Sequence, residues 1–430
     1  MADDTRRAFL GKAGAGAAAI AWAGATNVLG ANEKVNVGLI GCGGRGNGVA
    51  QQMGGVTWVC DPDKGRLGSS ANRQKVKPDH AVTDLRRMLD DKDLDAVIIA
   101  TCDHWHAPAG LLAMEAGKHA YIEKPISHNY RESQLLVEAA RRTRRVVQHG
   151  TQSRSTQVVA DAMAMLREGV IGTVLMAKAW NIQRRRNIGH GKPSDPPRNL
   201  DYDTWVGPAE MVPYHSNRLH YNWHWLYNFG TGDMGNDGTH EIDYARWGLG
   251  VDTLPTRVGG LGTKLFFDDD QEFPDTMTVV FNYPGDDTVG TRRQLIFEMR
   301  IWSPTRPYGI DNGSEFYGTE GRLAVSKRGW IEVYDRKNKK IDAKPKAPPK
   351  LLGHQADFVD AIRTGRRPNA DVETAHRSVA LVHLGNIACR LRRGFAFDPK
   401  AEQIVGDDEA NALLKRRYRK EGHWAVPKGV

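Results

Sequence analysis

Three groups of residues have side chains and spacings that could do chemistry. The first is Gly41-Cys42-Gly43-Gly44-Arg45-Gly46, which satisfies G-x-G-x-x-G. Glycine at these places lets the chain turn tightly and brings backbone amides close to a pyrophosphate, whose charge then faces a helix N-terminus. Asp61 follows Gly41 by twenty residues, where an acidic group accepts hydrogen bonds from an adenosine ribose. That carboxylate favours NAD over NADP, although Lys64 and Arg66 could accommodate the extra phosphate. The second group is Glu123-Lys124-Pro125. The Lys124 ammonium can donate to a reacting oxygen and stabilise alkoxide character, while Glu123 orients the turn or contacts the cofactor. The third is Arg218-Leu219-His220-Tyr221-Asn222-Trp223-His224-Trp225. Flat rings of this kind stack on the C–H faces of sugars, and their polar neighbours fix hydroxyls. Arg218, His220, Trp223 and Trp225 are the candidate substrate contacts. His220, His224 and Asp237 also raise the idea of a metal, but without H-E-x-x-H no metal is expected.

These residues need elements to hold them. Residues 35–40 form a short apolar run of strand type directly before the glycine loop, with a helix over 45–53 after it. A second strand over 56–60 ends at Asp61, and 94–101 reads as a buried parallel strand. The stretch 102–108 then sits beyond a strand's carboxyl end, where ligands bind in open α/β sheets. Thr101, His104 and His106 are therefore candidate cofactor contacts. A helix over 109–116, a strand over 119–122 ending at Glu123-Lys124, a helix over 129–142 and a strand over 146–148 complete the alternation. Beyond it, 174–181, 256–262, 276–283, 294–301 and 315–325 read as strands of period two. Residues 356–362 and 375–391 read as closing helices, and 337–350, rich in Lys and Pro, as an exposed loop.

The chain has 430 residues, 40% hydrophobic and 26% charged, a net charge of +9 and four cysteines. This excludes wholesale disorder and a disulfide scaffold, and without a long apolar run it excludes a multi-span membrane protein. Cys42, Cys60 and Cys102 fall at strand ends near the presumed cofactor and read as small buried side chains. The arginine runs 141–145, 184–186 and 415–420 are dispersed and carry no repeated aromatic platform. They read as solvated faces, with Arg184–Arg186 alternatively meeting a substrate, a partner subunit or an anionic glycan, so no nucleic-acid partner is expected. Arg6-Arg7 before Phe9-Leu10 and an Ala/Gly-rich stretch make residues 1–31 look like a twin-arginine export signal. The expected location is periplasmic, with no stable membrane insertion once the signal is removed.

Four motifs in order resemble the Gfo/Idh/MocA oxidoreductase family: the glycine loop, Ala100-Thr101 through His106-Ala107-Pro108, Glu115-Ala116-Gly117-Lys118-His119, and Glu123-Lys124-Pro125. The resemblance implies an α/β fold, with an N-terminal Rossmann domain over 33–150 and a C-terminal α/β domain over 151–430. The second domain would carry a large, mostly antiparallel open sheet whose face forms a homo-oligomer interface. It also implies that Lys124 acts at the nicotinamide and that the segment 230–243 supplies a base. His240 takes that role, abstracting a hydroxyl proton as hydride leaves the same carbon. Asn236 stands where the family has its first Asp, Asp237 falls one residue late, and Asp243 aligns with the final Asp, orienting substrate or bracing its helix. The expected function is hydride transfer between a sugar, polyol or glycoside hydroxyl and tightly bound NAD, with NADP possible. The alternatives are a redox-neutral NAD-dependent glycoside hydrolase or lyase of the same fold, and a non-catalytic sugar-binding protein.

Overall fold

The computed structural model describes residues 34–430, apart from residues 287 and 289. The export signal expected over 1–31 lies outside the described residues. The chain begins β1 (Val37–Ile40), α1 (Gly44–Met53), β2 (Val56–Cys60), α2 (Lys64–Gln74), β3 (Ala81–Val82), α3 (Leu85–Leu89), β4 (Ala96–Ile99), α4 (Asp103–Glu115), β5 (His119–Ile122), α5 (Tyr130–Thr143) and β6 (Val147–His149). The strands form one sheet in the order β3-β2-β1-β4-β5-β6, parallel throughout. Its central strands are buried on both faces, which is why they read as continuous apolar runs rather than alternations. The order reverses between β1 and β4, and such a switch point opens a crevice at the strands' carboxyl ends.

Helix α4 corrects one expectation. It starts at Asp103, six residues before the expected 109, with Pro108 inside it. Proline offers no N–H to the carbonyl one turn earlier. That carbonyl, of His104, instead accepts from Arg416 Nη2 at 2.8 Å. A distant cation thus takes the place of the missing helical hydrogen bond, and the residues expected in a loop become the helix's first turn.

The chain continues through α6 (Gln157–Arg167), β7 (Val174–Asn181), α7 (Tyr202–Val206), α8 (Gly232–Asn236), α9 (Gly238–Leu249), β8 (Arg257–Thr263), β9 (Thr276–Tyr283) and β10 (Arg293–Arg300). Then come β11 (Asn312–Gly318), β12 (Gly321–Ser326), β13 (Trp330–Asp335), β14 (Lys340–Ile341), α10 (His354–Thr364), α11 (Val372–Leu391), β15 (Phe395–Asp398) and β16 (Gln403–Ile404). The second sheet has ten strands in the order β14-β13-β12-β11-β7-β10-β9-β8-β15-β16. Only the β7–β10 pair is parallel. The single strand expected over 315–325 is a hairpin, because Gly318 and Gly321 pair across a two-residue turn. In β10, Leu295, Phe297 and Met299 point into the core while Gln294, Ile296, Glu298 and Arg300 alternate outward. Helices α6, α9 and α11 cover the inner face. Helix α10 returns to the first sheet, where Phe358, Ala361 and Ile362 join Val35, Val37 and Leu39 in one core cluster. Among the described residues no helix is long and apolar enough to cross a membrane.

Candidate active site

A cleft of about 630 Å3 opens at the carboxyl ends of β1, β2, β4 and β5. Its floor is the glycine loop. Gly41 has φ +93°, and a Cβ there would stand 2.5 Å from the Ala100 carbonyl oxygen. At Gly46 a Cβ would stand 2.1 Å from the carbonyl oxygen of Gly41, so this glycine serves the close packing of α1 rather than the cleft lining. A Cβ on Gly44 would meet nothing within 4 Å, and Gly43 begins α1 without any side-chain cap. The loop thus turns bare backbone and the uncapped first-turn N–H groups toward the cleft, which fits a pyrophosphate. Asp61 Oδ2 accepts from the Cys42 amide (2.7 Å) and Oδ1 from the Asp63 amide (2.8 Å). Those bonds fix the carboxylate at the β2 end of the cleft and leave further lone pairs for a ribose. Burial raises its pKa, and the two backbone amides and Arg66 oppose that rise.

Lys124 follows β5. Its Nζ donates to Asn236 Oδ1 (3.1 Å) and to the Asn236 carbonyl oxygen. Asn236 Nδ2 donates to Asp233 Oδ1 (3.0 Å). Asp233 also accepts from Asn181 Nδ2 (3.0 Å) and Arg185 Nε (3.0 Å). Arg185 reaches the Tyr221 hydroxyl (3.2 Å) and pairs with Asp237. Burial works against ionisation of Asp237, but Lys124, Arg185 and Lys327 outweigh it and hold the carboxyl at about 2. Glu123 is almost fully buried and accepts from Arg45 Nε (2.7 Å), Gln152 (3.1 Å) and Tyr121 (3.3 Å). Burial again resists its ionisation, and Arg45 and Lys124 prevail. His106 Nδ1 lies 2.6 Å from the Pro125 carbonyl oxygen and braces the turn that carries Lys124.

One more carboxyl faces the cleft. Asp103, the first residue of α4, accepts from Thr231 Oγ1 at 2.6 Å, and burial pushes it up to about 7 despite the nearby Lys124. His240 lies in the first turn of α9, buried, with Nδ1 3.4 Å from Ser153 Oγ. Burial, then Lys327 and Lys124, push its pKa well down, so its imidazole is neutral near pH 7. It is not among the residues that line the cleft, whereas Asn236 and Asp237 are. His224 does line the cleft, stacked on Trp223 at 3.6 Å, and burial pushes it down to about 3. A positioned ammonium beside neutral imidazoles can polarise a hydroxyl oxygen and accept its proton.

The structure thus brings Gly41, Gly43, Gly44, Arg45, Asp61, Thr101, His106, Glu123, Lys124, Asn236, Asp237, His220 and Trp223 to one cleft. It takes others elsewhere. His104 is fully buried between the Trp205 and Phe229 carbonyls (3.0 and 3.3 Å). Arg218 donates to the Tyr202 hydroxyl (2.6 Å) and lies over the Phe229 ring. Trp225 is 2% exposed and belongs to the core. Asp243 is clamped by both arms of Arg154 (2.8 and 2.9 Å) and by Ser378 (2.6 Å), so it braces α9 instead of meeting a ligand. Arg185, expected on a solvated face, has a side chain only 14% exposed between two carboxylates. Asp103, Arg185, Tyr221 and Asp233 are the site residues that sequence reasoning missed. The signal was available for one of them: two aspartates four apart in a glycine-rich segment require a cation.

Comparison with known proteins agrees with this architecture. Residues 35–151 match the NAD-binding Rossmann fold of the oxidoreductase family Gfo/Idh/MocA, and residues 178–425 match its C-terminal alpha/beta domain. The chain belongs to that family, and NAD is its cofactor. Over 169 residues it is 33% identical to glycosyl hydrolase family 109 protein 1 of Shewanella sp. (strain MR-4), and 31% identical to an alpha-N-acetylgalactosaminidase of Shewanella oneidensis. Each match covers 36% of this chain and 36% of the relative, so the chain spans only about a third of the curated relatives' length. The fold is shared with the aldose-aldose oxidoreductase of Caulobacter crescentus complexed with glycerol (TM-score 0.65, 15% identity, 85% of this chain and 100% of that one). It is shared equally with levoglucosan dehydrogenase in complex with NADH and levoglucosan (TM-score 0.63, 19% identity, 85% and 99%).

Proposed function

We propose that this chain is an exported NAD-dependent enzyme that acts on a hydroxyl group of a sugar, polyol or glycoside. The observation that carries this reading is Lys124. Its ammonium stands in the cleft at the β5 end, held by an amide rather than a carboxylate, beside aromatic and imidazole side chains. NAD, when bound, supplies the hydride acceptor. Lys124 donates to the substrate oxygen and stabilises the charge that develops there. The hydroxyl proton goes to a neutral imidazole, His240 as the family resemblance implies or the cleft-lining His224. Asn236 and Asp237 hold neighbouring hydroxyls, and Trp223 with His224 walls the sugar.

A second reading is redox-neutral: transient oxidation, then elimination or glycosidic cleavage, with the cofactor restored. The relatives named as glycosyl hydrolases support it over the residues they match. It also suits a periplasmic location, where a cofactor must be recycled in place. We place the protein there from Arg6-Arg7 and the small-residue stretch that follows. We further propose that it forms a homo-oligomer through the outward face of the second sheet.

The test uses protein purified after export and a panel of sugars and glycosides. Reduced nicotinamide appearing with a ketone product supports a dehydrogenase. Cleaved glycoside with the cofactor restored supports the second reading. No dinucleotide on extraction, and no response to sugars plus added NAD or NADP, would leave a sugar-binding protein.

A further inference from the structure

We propose that the segment 413–430 forms a clasp over the adenosine end of the cleft, with Trp424 as the side chain that retains the dinucleotide. The inference rests on the NAD reading of the cleft and adds a residue to it. The glycine loop divides the cleft. Lys124 and Asn236 lie on the β4–β5 side, and Asp61 with the residues after β3 lies on the other. The ribose-binding carboxylate marks that second side as the adenosine end.

Trp424 lines the cleft there although it is 38% exposed. It does not complete a core. It sits against the Arg86 guanidinium at 4.3 Å and the Trp105 ring at 5.8 Å. Arg86 is itself fixed by Asp84 at 2.6 Å. The indole is thus pre-oriented from two sides, with its remaining surface on the cleft. A flat heteroaromatic base is the ligand chemistry that such a face recognises.

The segment is tied down on both sides of the indole. Arg416, with a 7% exposed side chain, pairs with Glu132 at 2.7 Å and donates to the His104 carbonyl at 2.8 Å. Arg419 pairs with Asp203 at 2.6 Å, and the Gly429 carbonyl accepts from Arg131 Nε at 3.0 Å. These anchors join the segment to α4, α5 and α7. Opening the adenosine end therefore means breaking charge-assisted contacts as well as unstacking a base.

The experiment follows NADH release from the full chain by its fluorescence after displacement with excess NAD. Trp424→Ala is expected to release NADH about tenfold to a hundredfold faster than the unaltered chain, the range of one lost base stack. Trp424→Phe is expected to stay within about threefold, since the stacking face remains. Arg86→Met, which loosens the indole without touching it covalently, is expected to fall between them. Affinity for ADP-ribose should drop with the Trp424→Ala release rate, and affinity for nicotinamide mononucleotide should not change. Release from Trp424→Ala at the unaltered rate, or an equal loss for both half-ligands, would overturn the clasp while leaving NAD binding intact. No NADH binding by the unaltered chain would overturn the cofactor reading and the clasp together.

Discussion

Replacing Asp103 by Asn is expected to stabilise the ligand-free protein at about pH 8 and to destabilise it by about 1–2 kcal/mol at about pH 4. Asp103 is 1% exposed, and burial pushes its carboxyl up to about 7 in the folded chain. In the unfolded chain it titrates near about 3.9. Between those values the folded state keeps a proton that the unfolded state has released, so stability falls as pH rises. The slope is about 1.4 kcal/mol per pH unit over about three units, or roughly 4 kcal/mol lost once both states are ionised. Below the lower value both states are protonated and the loss vanishes.

Asparagine has no proton to lose, and its Oδ1 can still accept from Thr231 Oγ1, which now stands 2.6 Å from Asp103 Oδ2. Its amide N–H groups need new partners, at a cost of about 1–2 kcal/mol. The net gain expected near pH 8 is therefore about 2–3 kcal/mol. Urea unfolding followed by tryptophan fluorescence at the two pH values measures it. An Asn variant less stable than the parent at the higher pH would refute the reasoning. It would mean that Asp103 is ionised in the fold and neutralises Lys124, which would recast the charge of the whole cleft.

Lys124→Met is expected to lower kcat by about 10²–10³-fold with NAD affinity retained, as read by steady-state kinetics and calorimetry. His240→Asn is expected to cost about 10²–10⁴-fold in kcat, whereas His224→Asn should act mainly on KM; the reverse pattern would assign proton transfer to the cleft-lining His224. Gly46→Ala puts a Cβ 2.1 Å from a backbone carbonyl, so the loop must open, and NAD titration should show at least about tenfold weaker binding. Arg154→Met strips the buried Asp243 of its paired cation, leaving only the charge of Arg246 and the Ser378 hydroxyl nearby, and should cost about 3–5 kcal/mol near neutral pH. Burial resists ionisation of Asp243 but Arg154 holds its pKa down in the fold. The deficit should therefore shrink in unfolding curves as pH drops through the carboxylate range, where the pair's contribution is lost from the parent too.

The first sheet was legible because its strands are short, apolar and punctuated by chemistry: a glycine loop, Asp61 and Lys124 each follow a strand end. The period-two pattern likewise revealed strands of the second sheet, since β10 alternates core and outward residues. What failed had long-range causes. Helix α4 starts early with its His104 carbonyl, freed by Pro108, satisfied by Arg416 more than 300 residues later. Arg218 and Trp225 look like sugar contacts by type, but tertiary packing turns them onto Phe229 and into the core. Asp103 looks like an ordinary helix-start aspartate, and only its burial against Thr231 sets it apart.

The departure at position 236 has a consistent physical meaning in the structure. A carboxylate touching the Lys124 ammonium would neutralise it in a buried setting, where paired charges are held tightly. The amide of Asn236 instead fixes the ammonium by its oxygen and brings no charge. The carboxylates one step further out, Asp233 and Asp237, are occupied by Arg185. Fixed geometry is thereby partly separated from charge compensation: Asn236 positions Lys124, Arg185 pairs with both aspartates, and Lys124 shares in holding Asp237 ionised. The ammonium is left as the positive group that a hydroxyl oxygen entering the cleft would meet, which is the arrangement that stabilises developing negative charge on that oxygen.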